Sequence, residues 1–166
     1  MNRRHSIITG LSAITAGSAL TTKATAADPK SDKPELEKIK AVLKAHDDAM
    51  TSHNMEGVLA VLAPKAVILG TGPGEIWTGP EEIREAYKNF FTDFDKGQQD
   101  FTYHVRFGEL SAEMGWLMAS GEVKGKKGGK DFAFPMNISL TVSKASGDWK
   151  IASMHFSTLT HEKAGN

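Results

Sequence analysis

The chain has no cysteine. That excludes a disulfide framework, a thiolate metal site, a cysteine nucleophile and a lipid-anchored N-terminus. It has no net charge either, since 20 basic side chains balance 20 acidic ones. No apolar run reaches the roughly 18 residues that a membrane-spanning helix needs. Aromatics are scarce, at 8%, and they are mostly Phe, with two Tyr and three Trp. HExxH, GxGxxG, P-loop and GxSxG signatures are all missing, so the commonest metalloprotease, nucleotide and hydrolase chemistries have no foothold. What is present is ordinary globular material. The 166 residues are 40% hydrophobic and 24% charged, which suits one domain with a real core.

Residues 1–26 read as an address. Arg3 and Arg4 form a positive start, residues 7–20 are apolar but diluted by Gly, Ser and Thr, and Ala24-Thr25-Ala26 is a small-residue cleavage site. The adjacent arginines before a weakly apolar stretch resemble a twin-arginine export signal, and Lys23 beside the cleavage site disfavours the general secretory route. The expected location is therefore periplasmic or secreted. Cleavage removes Arg3, Arg4 and Lys23 and no acid, leaving 17 basic against 20 acidic groups. That surface offers nothing to nucleic acid or to an anionic membrane. Residues 27–33 read as a flexible leader, 34–160 as the domain and 161–166 as a loose tail.

Within the domain, Leu36, Ile39, Leu43, His46, Met50 and His53 recur at three and four, which predicts a helix over 34–53 with one face buried. Asn54 caps a second, short helix over 55–62, ended by Ala63-Pro64. An apolar strand over 66–71, a Gly72-Pro73-Gly74 turn and a short strand at Ile76-Trp77 follow. Gly79-Pro80-Glu81-Glu82 opens a third helix that buries Ile83, Tyr87, Phe90, Phe91 and Phe94. Four strands then alternate, over 101–110, 114–124, 131–144 and 149–159. The expectation is an α+β fold, with three N-terminal helices on a curved, mostly antiparallel sheet. Helices that only partly cover a bent sheet leave a cone-shaped hollow.

Three stretches in this order are familiar: Met55-Glu56-Gly57-Val58-Leu59-Ala60-Val61-Leu62, Trp77-Thr78-Gly79-Pro80-Glu81-Glu82-Ile83, and Gly147-Asp148-Trp149-Lys150-Ile151 with His155-Phe156-Ser157. The chain resembles the SnoaL-like branch of the nuclear transport factor 2-like superfamily over nearly all of the domain. The last stretch also resembles the association domain of calcium/calmodulin-dependent protein kinase. The resemblance implies a cone-shaped fold and a homodimer joined through the sheet. It leaves activity open, because such folds carry isomerases, dehydratases, hydrolases, cyclases and plain binding modules. Set against ketosteroid isomerase, Gly70 stands where the base carboxylate belongs, His46 where the oxyanion tyrosine stands and Asn137 near the second oxyanion group. Glycine cannot accept a proton, so steroid isomerisation by that mechanism is rejected. Glu75, in the turn, is expected to be solvated.

The candidates for acid/base work are therefore His46, Asn137 and His155, each against a plain alternative. His46 lines the pocket or is a satisfied core histidine. His155 lines the pocket or bonds at a dimer interface, and strand parity groups it with Trp149, Ile151, Ser153 and Ser157. Trp77 and Tyr87 flank the pocket mouth or pack in the core, and Trp116 and Met118 join them as candidate ligand-binding residues. Arg106 and Glu122 form a surface ion pair or the polar end of the cavity, and His104 shares the face of Arg106. Asp47 and Asp48 face solvent. Met118, Met136 and Met154 read as core filling rather than a copper site, so no metal and no cofactor is expected. The expected partners are a small, largely apolar molecule and a second copy of the chain. Two function classes remain: a non-catalytic ligand-binding module, and a cofactor-free lyase or isomerase.

Overall fold

The computed structural model describes residues 32–97 and 99–158. The segment read as an export signal (1–26), residues 27–31 of the expected leader and the expected tail fall outside the described residues. Helix α1 (Asp32–Thr51) carries Pro34 in its first turn and turns Ile39, His46 and Ala49 inward. It ends where His53 takes a left-handed φ of 53°. Asn54 then accepts a hydrogen bond from the Gly57 N–H at 3.0 Å and caps α2 (Met55–Ala60), as the sequence predicts. Helix α3 (Gly79–Asp93) starts at Pro80, and Glu82 Oε2 accepts from the Thr78 N–H at 2.7 Å.

Six strands follow the order β2-β1-β6-β5-β4-β3. They are β1 (Leu62–Leu69), β2 (Ile76–Thr78), β3 (Asp100–Leu110), β4 (Met114–Lys127), β5 (Lys130–Ser143) and β6 (Lys150–Thr158). The predicted four-strand meander is present, and β1 adds to it in parallel against β6. Strand β1 begins four residues earlier than Ala66, so Pro64 lies inside it rather than ending a helix. Proline has no N–H to give the ladder, and the β1–β6 register lapses between Leu62 and Val67. The β4–β5 turn places Gly128 and Gly129 at φ 59° and 76°, a region that favours glycine. Asp95 holds this turn by accepting from both of their N–H groups, at 2.8 and 2.6 Å.

The helices pack on one face, called inner here. Val58, Ile83, Val142 and Ile151 are almost wholly buried there, and each contributes roughly 1.5–3 kcal/mol by leaving water. Glu35, in the first turn of α1, accepts from Trp149 Nε1 at 2.6 Å and from Lys144 Nζ at 3.2 Å, tying the helix to the β5–β6 corner. The outer face has no covering layer among the described residues. It exposes Leu69, Ile76, Val105, Phe107, Trp116 and Met118. No described helix is long and apolar enough to cross a membrane.

Candidate functional site

Two β-bulges decide which residues share a face. In β6, Thr141 pairs with Ser153 but Val142 pairs with Ile151, so Ala152 is the extra residue. Ile151 and Met154 consequently both turn inward. His155 goes outward with Ser153 and Ser157, not with Ile151 and Trp149 as unbroken alternation implies. In β3, Tyr103 pairs with Gly121 and Val105 with Ser120, which makes His104 the extra residue. Tyr103 and Arg106 then face inward, and His104 does not share a simple parity with Arg106.

The three acid/base candidates are not brought together. His46 is buried on the inner side. His155 and Asn137 are exposed on the outer side, where His155 pairs with Ser139 and Asn137 with Ser157. Asn137 Nδ2 donates to Ser157 Oγ at 3.4 Å. The ligand-binding candidates divide in the same way: Trp77, Tyr87 and Arg106 are inner, while Trp116, Met118 and Glu122 are outer. Arg106 and Glu122 are not an ion pair, because they sit on opposite faces. Glu122 pairs instead with Lys124 at 2.9 Å, along its own strand. Trp116, Met118, Ser139 and His155 border a shallow outer depression of about 330 Å³. A second hollow, of about 440 Å³, lies beside the β4–β5 hairpin between Asp100, Lys124 and Asp131.

The buried polar pair lies between α1 and α3. Tyr87 is buried, and burial, aided by the charge of Asp47, pushes its phenol far above the ordinary range. Tyr87 Oη and His46 Nε2 share a hydrogen bond at 2.6 Å. Nδ1 of the same ring faces Asp47 Oδ1 across 3.5 Å. Asp47 also acts on Tyr103, whose phenol is raised first by burial and then by that carboxylate. Arg106 lies with its guanidinium carbon 5.5 Å from the Tyr103 ring centre, a cation–π distance. His46 and Tyr87 are thus a buried pair on the helices, while Tyr103 and Arg106 stand together on β3 and are exposed. Sequence reasoning did not single out Tyr103, while Asp47 is exposed as it expected. The signal for Tyr103 was a lone Tyr two residues after Phe101, but only the bulge at His104 puts it on the same face as Arg106.

Glu75 is exposed in its turn, as expected, and is also engaged there. Its carboxylate folds back over Gly70, where a Cβ would collide with it, and its Oε2 accepts from the Gly72 N–H at 2.8 Å. A carboxylate therefore does occupy the space above Gly70, engaged as the cap of a turn. Among the described residues no three His, Asp or Glu side chains gather to hold a metal ion.

Helices laid on one side of an unclosed, bent sheet of this order define the nuclear transport factor 2-like cone fold. The chain belongs to the SnoaL-like domain family, whose model matches residues 39–161. Solved structures share the fold at low identity. A candidate scytalone dehydratase from Novosphingobium aromaticivorans is 13% identical over 79% of this chain and 88% of its own, with a TM-score of 0.66. A ketosteroid isomerase-like protein from Erwinia carotovora is 21% identical over 76% and 97%, with a TM-score of 0.61. A calcium/calmodulin-dependent protein kinase II association-type domain from Xanthomonas campestris is 18% identical over 91% and 99%, with a TM-score of 0.60. No curated protein matches the chain.

Proposed function

We propose that this is an exported SnoaL-like protein that binds a small, largely apolar molecule on the helix side of its sheet, pairs with a second copy through the other side, and catalyses no reaction. One observation carries the non-catalytic part. The sheet itself separates His46 from Asn137 and His155, so the three polar groups cannot act on one guest. The buried His46 already has its Nε2 engaged by Tyr87. Native mass spectrometry of the mature protein purified from its source tests the reading. A doubled chain mass plus a small bound mass is the expected spectrum, and a bare monomer overturns it.

Export is proposed on Arg3 and Arg4. Changing both to Lys is expected to stop translocation, read as signal-bearing precursor in cell fractions, and normal export of the variant overturns the twin-arginine route.

A second reading, a cofactor-free lyase or isomerase, is favoured by the 2.6 Å Tyr87–His46 bond, since a phenol backed by imidazole and carboxylate can pass a proton. It expects Tyr87→Phe to abolish turnover of a substrate that the variant still binds.

A further inference from the structure

The outer face carries a single ionisable group near its middle. His155 of β6 lies between Leu69 of β1 and Ser139 of β5, with Met118 of β4 next across that row. Ser153, Thr141 and Trp116 form the row beside it. These side chains line the outer depression of about 330 Å³. No other titratable residue lies on β6 within 151–158, on β5 within 132–143, on β4 within 114–121 or on β1 within 66–69. The charged groups stand at the rim. Glu122 is held by Lys124 at 2.9 Å, Lys150 donates to the Ala60 carbonyl at 2.6 Å, and Glu109 is on the edge strand opposite Trp116. Lys65 lies further back along β1.

Such a face suits a second copy of the chain. In a two-fold contact the same patch meets itself, so a fixed charge at its centre faces its like. The hydroxyls of Ser139, Thr141 and Ser153 donate and accept, and can bond to their own kind. A neutral imidazole does the same, one ring nitrogen donating and the other accepting. A protonated imidazole only donates, and it brings a positive charge that no carboxylate of its own strand or of the adjoining strands β1 and β5 faces. Closing two copies over it then covers two unpaired charges, which is costly.

We propose that pairing through the outer face is acid-sensitive: two copies close only while His155 is neutral, and protonating it parts them. This rests on the paired reading above and adds its regulation. Imidazoles change charge between about pH 5 and 8. Each copy gives up one proton on closing. The dissociation constant is therefore expected to rise, as the imidazole becomes charged, by up to about tenfold per histidine for each pH unit of acidification, or about a hundredfold for the pair. Pairing is complete on the alkaline side of that range and is lost as pH falls through it.

The test is sedimentation velocity of the mature protein at micromolar concentration and fixed salt, at about pH 8 and about pH 5, with circular dichroism at each. Wild type is expected to sediment at a doubled mass in alkali and a single mass in acid, folded in both. His155→Gln, which bonds but cannot charge, is expected to stay doubled at both, and His155→Lys to stay single at both. If the Lys variant does not fold, the Gln variant decides alone. A wild type doubled at both values, a Gln variant that also parts in acid, or a folded Lys variant that pairs overturns this inference and leaves the paired reading standing. A Gln variant already single in alkali makes the ring a bonding group rather than a gate, and overturns it too. Tighter pairing in acid places a carboxylate of the second copy on the imidazole and likewise overturns it. A wild type of single mass at both values overturns this inference together with the reading it rests on.

Discussion

At the residue scale the His46–Tyr87 bond is the sharpest feature. Both partners are buried, so truncating one strands the other's polar atom away from water. Tyr87→Phe is expected to lower the unfolding free energy by about 1–3 kcal/mol, measured by urea denaturation. Two other residues set the response to acid. Lys38, then Trp149, then Lys144 hold Glu35 down from 4.5 to about 2. A folded value below the unfolded one contributes stability above pH 4.5 and loses it as pH falls toward 2. His53 is lowered from 6.5, first by burial and then by Lys96, with its ring stacked on Phe91 at 4.5 Å. Its stability contribution is complete above pH 6.5 and declines as the medium forces a proton onto it. The melting midpoint is therefore expected to fall in two windows. His53→Asn, which tolerates the left-handed backbone, flattens the upper window, and Glu35→Gln flattens the lower. Superimposable pH profiles for wild type and both variants contradict this.

At the element scale, the positions of helices and strands were legible because periodicity is strong. Asn54, Pro80 and the paired glycines of the β4–β5 turn announced their caps and turns. The sides of the strands were not legible. Alternation assumes an unbroken ladder, and single extra residues at His104 and Ala152 invert it beyond those points. No side-chain pattern in Tyr103-His104-Val105 or Ile151-Ala152-Ser153 marks the inversion. Hence the polar candidates were recognised as residue types but left between the pocket and a plainer place, and the sheet holds His46 apart from Asn137 and His155. Strand β4 also shows why its glycines are needed. A Cβ on Gly121 would run into the Thr102 carbonyl and the Phe101 ring. Gly121→Ala is expected to cost about 1–3 kcal/mol, as overpacking does, with the shift seen in denaturant midpoint. A midpoint equal to wild type means the β3–β4 edge relaxes freely.

At the scale of the whole molecule, the outer sheet face through which pairing is proposed exposes several large apolar side chains among polar ones. Leu69 on β1, Trp116 and Met118 on β4 and Phe107 on β3 form an interrupted stripe over three strands, with Phe107 at 65% exposure. Paired copies would bury that stripe, and charge placed in it opposes pairing. Phe107→Glu is expected to halve the mass measured by light scattering, with the circular dichroism of a folded chain retained. An unchanged mass counts against the paired form. The topology carries one more implication. β6, the latest of the six strands in the sequence, lies between β5 and β1, so two neighbours made earlier wait for it. During synthesis, any chain halted before Lys150 presents both of those edges at once, ready to pair with a stranger. Closure of this sheet is consequently a late event on the ribosome's clock, and every nascent copy passes through an interval in which it needs shelter.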